Sequence, residues 1–305
     1  MDKVSLVIPC YRDSATLPRA INSVLRQTRP VDEIIVVNDC SPESDAIDEI
    51  VASYPTVIYI KNSVNVGLAA TRNAGAQVAT GNVLAFLDAD DELHPRKIEI
   101  QLNHLAPRTA VTTQVLRVYG ASTRVATIFP ELRSVKVREI ATVDRMLVGN
   151  YLTGASIMIH RSYFSELHGY NEFLRSCEDF DLWLRLIESG GRVKNVISPL
   201  YIYHYNQSGL SSNYLNISHW ELEVIKRHFA RKKLVIESSR QAALVWGVWM
   251  VRHLIRCKAA GDAKLRAVTF RNIEMLAAHP LLIGTIKFAD RLGFLRLASL
   301  LMRRK

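Results

Sequence analysis

The sequence predicts an α/β protein: a mainly parallel sheet flanked by helices, with a helical extension at its C-terminal end. Three observations predict it. Over residues 4–87 the apolar residues switch back and forth between a strand pattern and the 3.6-residue helical period. Just past each apolar run of strand length stand Asn, Asp, Pro or Tyr. From Trp220 onward only helical patterns remain, interleaved with Lys and Arg.

Residues 4–8 read as a strand. Residues 14–26 read as a helix, with Leu17, Ile21, Val24 and Leu25 on one face. Strand 33–37 and helix 45–52 follow, then strand 57–60, helix 68–78 and strand 83–87. Such alternation implies right-handed crossovers and parallel pairing. The run 83–87 is apolar throughout, as in a strand covered on both faces. Farther on, 182–187 reads as a helix with Asp179 in or just before its first turn. Ser176 or Asp179 would serve there as a plain N-cap.

A chain of 305 residues, 49% of them hydrophobic, can hold one large domain or two. Four cysteines without a CxxC pair fit a reducing compartment. The start, Met1-Asp2-Lys3-Val4, runs straight into a strand, so no signal peptide is expected, and no apolar run reaches the length of a membrane span. The expected location is cytoplasmic. The net charge of +10 is uneven: residues 252–305 carry 12 Lys/Arg and 3 Asp/Glu, a net of +9, which leaves +1 for residues 1–251. No GxGxxG occurs, which argues against a dinucleotide-dependent dehydrogenase. No Gly-rich, Arg/Lys-bearing loop follows the first strand, which argues against a nucleotidyltransferase. No nucleic-acid-binding module is recognisable.

In open parallel sheets ligands bind beyond the carboxyl ends of the strands. Asp88, Asp90 and Asp91 follow the strand at 83–87. Like charges this close repel, and hard oxygen ligands on a short segment suit Mg²⁺ or Mn²⁺ shared with substrate phosphates. A solvated acidic turn is the plainer alternative. Tyr11 can stack on a planar base and Asp39 can accept an N–H from it. Asn38, Ser41 and Pro42 read as ordinary turn residues. Arg72 lies about one turn into a helix of small residues after Gly67, which would leave its guanidinium at the site edge; a solvated surface Arg is the plainer alternative. Glu178, Asp179 and Asp181 are more acid than a cap requires, and a carboxylate there can act as general base toward a hydroxyl.

Taken together and in order, these motifs resemble a family 2 glycosyltransferase with the Rossmann-like GT-A fold. The carrying motifs are Val7-Ile-Pro-Cys-Tyr11, Ser23-Val-Leu-Arg-Gln-Thr28, Glu33-Ile-Ile-Val-Val-Asn-Asp-Cys-Ser41 and Asn65-Val-Gly-Leu-Ala-Ala-Thr-Arg-Asn-Ala-Gly75. Phe86-Leu-Asp-Ala-Asp-Asp91 and Glu178-Asp-Phe-Asp-Leu-Trp183 complete the set. The resemblance covers roughly residues 3–212. It implies a catalytic domain at 1–212, followed by a basic helical region at 213–305. It implies transfer of a sugar, with inversion, from a nucleotide diphosphate donor, here expected to be a UDP-sugar. Pro9, Tyr11, Asp39 and Arg72 match positions that hold the donor nucleotide. Asp88 and Asp90 match the DxD motif, with Asp90 the direct ligand of Mn²⁺ or Mg²⁺ and Asp88 nearer the ribose. Asp179 matches the catalytic base.

The chain departs from the family pattern at three places. Asn38 stands where an acid is usual, Cys40 where Gly is frequent, and Asn206 where a His is frequent. His204 can take over a phosphate contact, but a surface residue is the favoured reading. A non-catalytic nucleotide-sugar-binding homologue is the rival class, and the intact Asp90 and Asp179 argue against it. The implied acceptor is a glycan or a lipid-linked glycan in cell-surface polysaccharide synthesis. Residues 252–305, with Leu281, Ile286, Phe288 and Leu292 among Lys287, Arg291 and Arg296, suit an anionic membrane surface. That would make the protein peripheral on the inner face of the plasma membrane. A helical cap with a solvated basic face is the alternative.

Overall fold

The computed structural model describes residues 2–119, 135–140, 142–147, 149–206, 209, 212–233 and 240–261. The chain divides into two units, Met1–Gln207 and Ser208–Lys305.

The first unit opens with the alternation read from the sequence: β1 (Val4–Cys10), α1 (Leu17–Leu25), β2 (Glu33–Asn38), α2 (Ser44–Ala52), β3 (Val57–Lys61), α3 (Leu68–Val78) and β4 (Val83–Phe86). Helix α1 starts three residues later than the expected 14, because the chain first turns at Asp13, whose carbonyl accepts from Thr16 and Leu17. Pro18 then sits in the first helical turn, where its missing N–H leaves no bond unmade. The later elements are β5 (Glu92–Leu93), α4 (Lys97–Leu102), β6 (Thr109–Tyr119), β7 (Val137–Ile140) and α5 (Val143–Leu147). A short 3₁₀ turn (Gly154–Ser156) leads to β8 (Met158–His160), α6 (Arg161–Glu166), α7 (Glu178–Glu188) and β9 (Arg192–Tyr205).

Among the described residues one sheet runs β3-β2-β1-β4-β8-β6-β9-β5, with β7 paired to β9. The first four strands are parallel, with Val7 opposite Ile35 and Phe86. Beyond β4 the sheet is mixed: β8 runs antiparallel to β4 and β6, whereas β6 and β9 are parallel. Strand β1 is buried along its whole length. Leu6, Ile8, Leu17, Ile21, Val36 and Leu87 share one core, and each such side chain contributes about 1.5–3 kcal/mol relative to exposure. The small residues of α3 let it lie close on the sheet. A Cβ on Gly75 would stand 2.3 Å from Val7 Cγ1.

In the second unit α8 (Tyr214–Arg231) and α9 (Arg240–Ala260) pack on each other. The Asn213 side chain caps α8 by accepting from the Asn216 N–H at 3.0 Å. Buried His253 Nδ1 lies 2.8 Å from Ser218 Oγ, and Arg256 pairs with Glu221. Among the described residues no helix is long and apolar enough to cross a membrane. The amphipathic pattern at 281–297 lies outside the described residues.

Candidate active site

The ends of β1 and β2 are tied together. The Arg12 N–H donates to Ser41 Oγ at 3.1 Å, and the Asp39 N–H donates to the Cys10 carbonyl at 3.0 Å. Pro9 is buried in β1. Tyr11 is 38% exposed, with the Arg12 guanidinium 5.3 Å from its ring centre. Cys40 has φ +52° and Arg12 φ +60°, a left-handed backbone that side chains rarely adopt. Glycine would take that φ without strain. Strained residues of this kind gather at functional sites.

Asp39 is buried, and its carboxylate is occupied by its own chain. Oδ1 accepts from Asn62 Nδ2 at 2.8 Å and from the Val66 N–H at 2.9 Å; Oδ2 accepts from the Gly67 N–H at 2.9 Å. The acid thus holds the loop that enters α3.

Arg72 was expected at the site edge. It is buried instead, with 2% of its surface exposed. Its NH1 donates to Glu178 Oε1 and its NH2 to Asp88 Oδ1, both at 2.6 Å. Burial works against the charge, but these two carboxylates outweigh it, and the guanidinium is held charged. Burial is therefore tolerated because both partners are acids. Among the described residues its Nε has no partner, and the Tyr170 ring lies 5.5 Å away.

Around Asp88 the acids outnumber the bases. Burial, then the charges of Asp88 and Asp13, push the Asp90 carboxyl up to about 7. Burial, with Asp88 and Glu43 adding, pushes Asp13 up to about 6, although the Tyr11 N–H works the other way. Asp91 is buried deeper, and burial raises its carboxyl well above the usual range. Tyr201 Oη donates to Asp91 Oδ2 at 2.7 Å and accepts from the Asp88 N–H at 3.2 Å, so one hydroxyl fixes the turn. Arg19 also donates to the Asp90 carbonyl. Among the described residues no three His, Cys, Asp or Glu side chains converge as ligands for a metal.

Asp179 lies in the first turn of α7. The N-cap is Cys177, with φ +61° and no side-chain cap, so neither Ser176 nor Asp179 holds that position. The Asp179 side chain accepts instead from the Phe180 N–H at 2.6 Å and from Asn150 Nδ2 at 3.1 Å, both through Oδ1. Oδ2 accepts from none of the described residues. Burial and the neighbouring Glu178 raise the carboxyl to about 7, against the pull of the Phe180 N–H, Arg72 and Asn150.

His204, favoured as a surface residue, is enclosed. Its side chain is 13% exposed, and Nε2 lies 2.9 Å from Glu92 Oε1. Its backbone N–H donates to Asp91 Oδ1 at 2.8 Å. The β5–β9 pairing carries it inward. Asp181, the third acid of the motif, is fully buried and paired with Arg185 at 2.7 Å, so its place is within the helix packing. Asn150, Gly154, Tyr170 and Tyr201 join the site without any sign in the sequence pattern. Asp13 carried a readable one, standing just past β1 where ligands bind.

The chain matches the model of the family described as glycosyl transferase family 2 over residues 5–167. It is 28% identical over 237 residues to an uncharacterized glycosyltransferase of Haemophilus influenzae, covering 75% of this chain and 77% of that one. It is 28% identical to a putative teichuronic acid biosynthesis glycosyltransferase, TuaG, of Bacillus subtilis, covering 69% of this chain and 82% of the relative. Three rickettsial glycosyltransferases also match, and the chain spans between 27% and 31% of their length. Among solved structures, S. aureus TarS 1–349 in complex with UDP-GlcNAc aligns with TM-score 0.63 at 16% identity, covering 95% of this chain and 92% of that one. That likeness concerns the fold, and the fold is the GT-A fold. On the match across more than half its length, the chain belongs to glycosyl transferase family 2.

Proposed function

We propose that the protein is an inverting glycosyltransferase that moves a sugar from a UDP-sugar to a hydroxyl of a glycan or lipid-linked glycan, in cell-surface polysaccharide synthesis. The observation that carries this reading is the buried Arg72, which joins Asp88 at the end of β4 to Glu178 at the start of α7. It brings the acids suited to a nucleotide diphosphate within one residue's reach of Asp179.

On this reading the base lies in the cleft beside Tyr11 and the loop held by Asp39. The acceptor hydroxyl lies at the free Oδ2 of Asp179. As its oxygen bonds to the anomeric carbon, Asp179 takes the proton and the bond from that carbon to the diphosphate oxygen breaks. One displacement of this kind inverts the configuration. A carboxyl raised to about 7 is a stronger base than an ordinary aspartate and is still partly ionised at neutral pH. Arg72 keeps Asp88 and Glu178 in place and neutralises part of their charge.

The donor set at Asp88 and Asp90 fits Mn²⁺ or Mg²⁺. It is made of hard oxygens, and at Asp90 burial and the charges of Asp88 and Asp13 outweigh the nearby Arg19. Asp90 would hold the ion, and the remaining ligands would come from the diphosphate. Once bound, the ion neutralises charge on the leaving diphosphate. The basic residues from 252 onward support contact with an anionic membrane surface, and with it a peripheral cytoplasmic location.

Uracil as the donor base is supported by Asp39, whose Oδ2 accepts one N–H, from Gly67, and has a second lone pair to offer, and by the complex of TarS with UDP-GlcNAc. Calorimetry with UDP, GDP and dTDP in the presence of Mn²⁺ tests it, together with release of nucleotide from the matching sugars. Tighter binding of UDP is expected; preferential binding of GDP would remove the assignment of the base.

A further inference from the structure

We infer that Glu178 is a positioning residue of this site: held by the same guanidinium that holds Asp88, it fixes the first turn of α7 and supplies the negative charge against which Asp179 works. The inference rests on the reading of Asp179 as the base.

Helix α7 starts without the usual support. Its N-cap is a left-handed Cys177 that offers no side-chain oxygen. Ser, Thr, Asn or Asp at such a position would satisfy a first-turn N–H. Here the first turn is held from outside. Glu178, 7% exposed, receives Arg72 at 2.6 Å, and Arg72 is itself anchored on α3. An acid in the first turn is also favoured by the helix dipole.

Its charge adds to burial in raising the Asp179 carboxyl. Around that carboxyl, α7 presents Glu178 and the Phe180 N–H, and α3 presents Arg72. The segment before the 3₁₀ turn presents Asn150, and the loop before α7 presents the Tyr170 ring. Gly154 adds no polar side chain. Of these groups Glu178 alone favours the protonated acid; Arg72, Asn150 and the Phe180 N–H favour the ionised form. Burial, the larger cause, and Glu178 together outweigh these three neighbours. The pair Arg72–Asp88 also means that one cation serves both the donor side and the base side.

The test uses Glu178→Gln and Glu178→Asp in the full chain, with two readouts. One is the ¹³C NMR titration of the Asp179 carboxyl, assigned through its loss in Asp179→Asn. The other is kcat/KM against pH. In Glu178→Gln the titration and the acid limb should move together to lower pH by about one unit or more. The rate at neutral pH should fall roughly tenfold, as a weaker base requires. UDP affinity should stay within about threefold, because Arg72 and Asp88 remain paired. Glu178→Asp should keep the titration near the wild-type value. An unchanged titration with only a lower Tm would overturn the inference and leave Glu178 a packing residue. A titration that shifts in a chain transferring no sugar would overturn the transferase reading alone. If Glu178→Gln does not fold, the wild-type titration decides: Asp179 titrating near its ordinary value overturns the inference.

Discussion

Gly154 lies against Asp179 so closely that a Cβ built on the glycine would stand 2.5 Å from the Cβ of the acid and 2.9 Å from its Oδ2. The close approach is set by the 3₁₀ turn on one side and the first turn of α7 on the other. Neither is the free end of a long side chain that can swing away.

Gly154→Ala should therefore displace Asp179 with little harm to the fold. Overpacking of this kind costs about 1–3 kcal/mol. Transfer should fall by more than about tenfold, since small misplacements of a reacting group are expensive in rate. Thermal melts and initial rates check it, and an alanine variant with wild-type rate would show that the first turn of α7 relaxes freely.

Asp179→Asn keeps the shape of the side chain and still accepts from the Phe180 N–H. It cannot take a proton from the acceptor. Folding and UDP binding should persist, whereas transfer should fall by roughly 10²–10⁴. Because Cys177 is the N-cap, loss of a cap is no longer a rival explanation. Transfer within about threefold of wild type would end the reading of Asp179 as the base.

Asp90 folds with its carboxyl pushed up to about 7, above the value of an unfolded chain. The folded state holds that proton longer, so its stabilising contribution is full in acid and is lost as pH rises through 7. Asp13, raised to about 6, acts in the same direction. Donor-free Asp90→Asn should melt several degrees above wild type at pH 8 and close to it at pH 4.5. The same variant should lose Mn²⁺-dependent UDP binding by calorimetry. Equal melts at pH 8 would mean that the acids around Asp88 do not strain the fold.

Residues 252–305, with a net charge of +9, should carry the protein onto vesicles containing anionic lipid. Each Lys or Arg near such a surface contributes on the order of 1 kcal/mol, and salt should reverse the effect. Sedimentation with and without anionic lipid decides. Equal recovery in both supernatants would favour a helical cap with a solvated basic face.

The first four strands were legible because a parallel sheet buries them on both faces, which leaves apolar runs that periodicity detects. Helix α3 was read to the residue, from Leu68 to Val78, because Gly67 precedes it and its small residues follow one period. The rest of the sheet was not legible. Strand β8 has three residues, and β9 opens on Arg192 and Lys194 and carries Pro199 within it. In the site, Arg72, Asp88 and Glu178 were each visible as polar groups at a strand or helix end. Their meeting was not, because 106 positions separate Arg72 from Glu178. Nothing local marks Tyr201 either; its hydroxyl gains a role only where β9 returns beside Asp88.

The left-handed turn after β2 leaves Cys40 exposed, while Cys10, Cys177 and Cys257 are buried. Burial also pushes the Cys10 thiol up to about 12, so it is a poor nucleophile. The chain therefore presents one chemically addressable sulfur, next in sequence to Asp39. A fluorophore attached there by maleimide chemistry would report on the loop that Asp39 holds, without any engineered cysteine.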